Sequence, residues 1–144
     1  MPRLLALILT ALAVVWTVAM LVLPFRAAGG QSPMLTALVY GTGVVICHQR
    51  PERSFHARGT RLPVCARCSG LYVAGTLGAL AGWIGIPAVP RRTRALLIAA
   101  AIPTAITVAA EWAGLAAPSN FVRALAALPL GGAAGWLFVR LLRA

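Results

Sequence analysis

Apolar residues run almost unbroken along this chain, and the polar positions between them are few and clustered. Five apolar segments follow one another, at about residues 4–24, 33–48, 69–86, 95–114 and 121–142. None alternates with the period of two that a barrel strand needs, so each predicts a helix. Ser32-Pro33 supplies an N-cap and a proline first turn to the second segment,. That segment is short, rising roughly 24 Å against about 30 Å of hydrocarbon, so Cys47 and His48 are expected at the interface. Pro87 and Pro90 close the third segment, Pro103 kinks the fourth, and Pro129 lies within the fifth,. The first segment resembles a signal-peptide core, with Arg3 before it and Ala27 and Ala28 after it. Its apolar stretch exceeds the 7–15 residues of such a core, which predicts a retained helix.

Composition moves these helices into a bilayer. The chain has 144 residues, 60% of them hydrophobic and only 10% charged, with mean hydropathy +0.88. In lipid every backbone group must be paired internally, which leaves helices once barrels are set aside. The expected fold is all-α and polytopic: one membrane domain over residues 1–144, about five transmembrane helices, and an interfacial Cys/His loop between the second and third. The net charge of +11 comes from thirteen arginines against two acids. No soluble basic face accompanies it, which argues against nucleic acid. Arginines flanking spans meet membrane lipid headgroups instead.

Five alternating crossings would put the N-terminus and two loops on one rim. Glu111, Ser119, Asn120 and Arg123 would then share that rim with the cysteines. The arginines divide nearly evenly between the rims. With those of the Cys/His loop reserved for a site, the remainder favours a plasma-membrane protein whose loop faces outward. Gly78 and Gly82, and Gly131 and Gly135, form two GxxxG stripes that predict contact between the third and fifth helices,.

The chemistry is concentrated in Cys47–Cys68, which holds all three cysteines, both histidines and five arginines. Thiolates and imidazoles make tetrahedral zinc sites, and the Cys65/Cys68 CxxC pair bites a metal from one turn. The metal set is Cys47, Cys65 and Cys68 with His56 or His48, or with water in the fourth position; zinc or another transition metal fits. A histidine left free would hydrogen-bond to a ligand and orient it, or carry protons. CxxC at a helix start also suits a thiol-disulfide enzyme. However, one further cysteine cannot form the second dithiol that electron shuttling needs. Ser69 after Cys68 excludes covalent haem attachment,.

Thr104, Thr107 and Glu111 share one face of the fourth helix,. An ionisable group at that depth is expected to point into the bundle. Arg123, in the first turn of the fifth helix, opposes the helix dipole. Either Glu111 compensates it, or an anion sits between Arg123 and the first loop, where Arg53 and Ser54 complete a pocket.

The string CHQ-x-PERSF-x-x-x-G-x-x-x-PVCARCSG-x-Y, with Glu111 and the Ser119-Asn120-x-x-Arg123 element, resembles the signature of DUF2085, small multi-pass prokaryotic membrane proteins of unknown function. Ser69 stands where that family often has threonine, and Glu111 where it often has aspartate. The resemblance supports the residue set and implies no activity.

The leading expectation is a metal-dependent enzyme acting on an amphiphilic or lipid-linked anionic substrate. Its candidate catalytic residues are His48 and Glu111, and its substrate-binding residues are Arg53, Ser54, Asn120 and Arg123. The alternatives are a structural-zinc scaffold or regulatory subunit of a membrane complex, a homo-oligomer among them, and a thiol-disulfide oxidoreductase using Cys65/Cys68. A transporter is disfavoured by five helices without an internal repeat.

Overall fold

The computed structural model describes residues 1–27, 29, 33–48, 50–85 and 91–144. Five helices form: α1 (Pro2–Ala27), α2 (Pro33–Ile46), α3 (Ala66–Ala81), α4 (Thr93–Trp112) and α5 (Asn120–Arg143). Between α2 and α3 lie a 3-10 turn (Pro51–Arg53) and a hairpin of two short strands, β1 (His56–Ala57) and β2 (Thr60–Arg61). The hairpin was not foreseen. Its tip carries Arg58 at φ 50° and Gly59 at φ 79°, the paired positive dihedrals that a tight two-residue hairpin demands. Three helices, α1, α4 and α5, are long and apolar enough to cross a membrane; α2 and α3 are shorter. Helix α4 continues through Pro103, and α5 through Pro129. Ser32, Ile86, Pro87 and Pro90, to which a cap and stops were assigned, lie outside the described residues.

The bundle is built on α3 and α5, which run parallel and touch along their glycine faces. A Cβ placed on Gly78 would fall on the Gly132 carbonyl, and one on Gly135 on the Gly75 carbonyl. The expected contact between the two GxxxG helices is therefore present, extended by Gly70 against Ala124. Backbones this close gain dispersion and weak polar contacts, which drive helix association where lipid gives no hydrophobic advantage. Helix α4 packs antiparallel on α5, with the Thr104 hydroxyl donating to the Ala126 carbonyl at 2.8 Å.

Helix α1 packs antiparallel on α3. The Trp83 indole donates to Thr10 at 3.1 Å, Thr17 and Thr76 share a hydrogen bond of 2.8 Å, and Trp16 meets the Tyr72 ring edge-on. The end of α1 also touches β1 and β2. Met1 therefore lies at the rim where α3 ends, opposite the cysteines, and not beside them as five alternating crossings required. The cause is α2. Its 14 residues rise only about 21 Å,, and the six steps from Ala27 to Pro33 reach at most about 20 Å. The Tyr40 hydroxyl, midway along α2, also donates to the Arg61 carbonyl of β2, holding the helix beside the hairpin. Helix α2 leaves the end of α1 and delivers Cys47 to that same rim. Arg26 joins the cysteine rim, and Arg3 joins Arg140 and Arg143.

Candidate metal centre and arginine cavity

The three cysteines come from two places. Cys47 follows the last residue of α2, while Cys65 caps the start of α3 and Cys68 sits in its first turn. Their sulfurs all lie within 4.8 Å of one another. Thiolates on a tetrahedral zinc stand about 3.8 Å apart, given Zn–S bonds near 2.3 Å, so small side-chain shifts close the set around an ion. The Cys65 amide donates to Cys47 Sγ at 3.2 Å, locking the two halves together. The Cys65 thiol is held down to about 5, chiefly because the Cys68 thiol hydrogen-bonds to its thiolate, against the opposing effect of burial. A standing thiolate is the form that ligates metal. The donor set therefore fits a transition metal.

Neither histidine joins this group of thiols. His56 projects from β1 and is exposed. His48 is half-way to the site: exposed, but lining the cavity beside the sulfurs. That leaves three protein ligands within reach among the described residues.

Beside the thiols, Glu111 is the centre of a polar circuit. Its Oε1 meets Arg123 Nη2 at 2.7 Å and Arg53 Nη2 at 3.2 Å, and its Oε2 meets Arg67 Nη2 at 3.2 Å. Arg123 Nη1 donates to Asn120 Oδ1 at 2.9 Å, and Asn120 Nδ2 donates to the Ser54 carbonyl at 3.0 Å. Ser54, fully buried, closes its own turn by donating to the Arg50 carbonyl. The path from Ser54 through Asn120, Arg123 and Glu111 returns through Arg53 to the residue beside Ser54. Glu111 thus compensates Arg123, which is itself only 9% exposed.

All the expected residues lie at one end of the bundle, with His56, on the hairpin, outside the thiol group and the cavity. Ser54 and Asn120 act there as struts, their polar groups already paired with protein. Two participants were missed. Arg67, between the CxxC cysteines, reaches both Glu111 and Thr107, and Arg50 lines the cavity. The signal for Arg67 was available: the chain has only two acids, so a basic residue at membrane depth must compete for one of them.

A cavity of about 580 Å³ opens among Cys47, Cys65, Cys68 and the side chains of Arg50, Arg53, Arg67 and Arg123, with Ile46 and Trp112 at its apolar edge. A second cavity of about 650 Å³ lies between α1, α3 and α5, lined almost entirely by apolar groups.

The family model for DUF2085, described as a predicted membrane protein, matches residues 47–137. An uncharacterized protein of Methanothermobacter thermautotrophicus is 36% identical over 90 residues, covering 60% of this chain and 78% of the relative. Another, from Methanocaldococcus jannaschii, is 34% identical over 95 residues, covering 62% of this chain and 58% of the relative. No solved structure matches.

Proposed function

The chain belongs to the DUF2085 family of predicted membrane proteins, and from that premise we propose that it is a metal-dependent membrane enzyme acting on an amphiphilic anionic substrate at the bilayer rim. The observation carrying this reading is the convergence of three thiols with four arginines on one cavity. Cys47, Cys65 and Cys68 would hold the zinc, and three protein ligands are the number that catalytic rather than structural sites use,. Zinc bound there would supply a Lewis acid.

The chain's own residues do the rest. Arg53 and Arg123, with Arg67, bind and orient the anionic group. Glu111 fixes those three guanidiniums by occupying one Nη of each. His48, exposed at the cavity wall beside the thiols, is the imidazole placed to pass protons to and from a bound substrate. Asn120 and Ser54 hold the first loop against α5. The apolar edge at Ile46 and Trp112 supports an amphiphile whose tail stays in lipid.

This reading sets the site on the extracytoplasmic rim of the plasma membrane. With the cavity arginines set aside, that rim keeps Arg26, Arg58 and Arg61. The opposite rim carries Arg3, Arg91, Arg92, Arg94, Arg140 and Arg143, the richer side that the positive-inside rule assigns to the cytoplasm. Metal analysis of detergent-purified protein tests the core of the proposal. One equivalent of zinc with three sulfur ligands and one light-atom ligand supports it; protein purified without chelator that carries no transition metal defeats it.

A thiol-disulfide role has one observation in its favour, the Cys65 and Cys68 sulfurs within 4.8 Å of each other at the start of α3. Quantitative thiol trapping before and after exposure to a quinone separates the two readings.

A further inference from the structure

The cavity beside the thiols has more positive charge than the protein neutralises. Four guanidiniums line it, and one carboxylate, Glu111, stands against them. The chain's other acid, Glu52, is exposed and outside the cavity. A zinc ion on three thiolates would add one negative charge. Two positive charges still stand unmatched, with Arg123 and Arg67 largely buried and Arg53 and the exposed Arg50 at the opening, an arrangement that attracts an anion.

Hydrogen-bond donors are in excess as well. Each guanidinium offers five N–H groups in a planar fork. Glu111 takes one Nη from each of Arg53, Arg67 and Arg123, while Asn120 and Thr107 take two more contacts. The Nε atoms of Arg67 and Arg123 are buried without a partner among the described residues. Arg50 has no acidic partner among the described residues. Buried donors are almost always matched, by protein, water or ligand.

Resting on the anionic-substrate reading above, we infer that this cavity recognises a dianionic phosphoryl group, a phosphomonoester or diphosphate, through Arg50, Arg53, Arg67 and Arg123. A carboxylate or a phosphodiester brings one charge and leaves one cation unmatched. A phosphomonoester brings up to two near neutral pH, with three strong acceptor oxygens matched to guanidinium forks. About 580 Å³ holds such a group with room for its first substituents. Ile46 and Trp112, both exposed at the mouth, provide an apolar exit for a chain in lipid.

The test uses the full chain in nanodiscs of zwitterionic phosphatidylcholine. Phosphatidic acid, a monoester, and phosphatidylglycerol, a diester of the same acyl chains, are added as probes, and retained lipid is counted by native mass spectrometry. The expected result is at least a tenfold preference for phosphatidic acid, reduced tenfold or more in Arg50→Gln and in Arg53→Gln. Arg58→Gln, on the hairpin tip, should leave it unchanged. Inorganic pyrophosphate titrated calorimetrically into the same discs separates the sources. Binding with the same arginine dependence assigns a soluble phosphoryl ligand; monoester retention without pyrophosphate binding assigns a lipid headgroup. Equal retention of the two lipids with no pyrophosphate binding, or a preference indifferent to Arg50 and Arg53, overturns the inference. Repeating the series after chelation, with zinc counted separately, tells the proposals apart. A monoester preference in protein that never carries metal retires the zinc reading and leaves the phosphoryl site standing.

Discussion

Arg123 Nη2 lies 2.7 Å from Glu111 Oε1, tying the first turn of α5 to the last turn of α4 at the rim that also holds the thiols. The pair is more than a local staple. Glu111 is shared with Arg53 on the first loop and Arg67 on α3, so one carboxylate joins the loop and three helices. Removing one partner of a buried pair leaves the other charge uncompensated. Glu111→Gln is therefore expected to destabilise the protein by about 3 kcal/mol or more, read as a lowered unfolding temperature in detergent. Arg3→Gln, on an exposed residue at the opposite rim, is the control. A Glu111→Gln protein as stable as that control would show that the hub holds nothing.

Metal retention should follow the sulfurs. Cys47→Ser, Cys65→Ser and Cys68→Ser are each expected to lose most bound zinc, while His56→Ala, altering an exposed hairpin residue, should keep it. Elemental analysis of the four variants checks this. Loss of metal from His56→Ala would mean that the hairpin folds over the site.

The Cys65 thiol offers a pH test. Its value of about 5 lies below the ordinary 9.0, so the folded state prefers the thiolate. The resulting stabilisation is complete above the ordinary value and fades as pH falls through about 5. In metal-free, reduced protein, Cys65 should alkylate at a nearly constant rate from pH 8 to about 6 and slow steeply near 5. A mass-spectrometric rate that falls tenfold per unit from pH 8 downward would contradict it.

Both chain ends should report the same compartment. Helices α1, α3, α4 and α5 alternate in sense, and α2 ends at the cysteine rim beside Cys65. Fluorescent or enzymatic reporters fused to Met1 and to Ala144 should both read cytoplasmic. Opposite compartments would restore a fifth crossing.

Gly78 and Gly41 make a matched pair of substitutions. A Cβ on Gly78 would collide with the Gly132 carbonyl, whereas one on Gly41 meets nothing within 4 Å. Gly78→Ala should cost about 1–3 kcal/mol by forcing α3 and α5 apart, and Gly41→Ala should stabilise α2 by about 0.5–1 kcal/mol. Thermal unfolding of the two variants reads the contrast directly.

The residues alone carried the all-helical class and the count of five helices, because long apolar runs in a bilayer have no other way to satisfy their backbone. They also carried the glycine contact of α3 with α5 and the sharing of one rim by Cys47, Cys65, Cys68, Glu111 and Arg123. That sharing needs only the alternation of α3, α4 and α5. The sense of α1 was not legible, because an apolar stripe reads alike in either direction. Only the pairing of Thr10 with Trp83 and of Thr17 with Thr76, with the shortness of α2, decided it. Nor could spacing choose among the histidines: the positive dihedrals at Arg58 and Gly59 fold the hairpin so that His56 is outside the thiol group, a local backbone event with no hydrophobic signature. The role of Arg67 was decided last, by a contact between α3 and α4 that exists only once both have packed on α5.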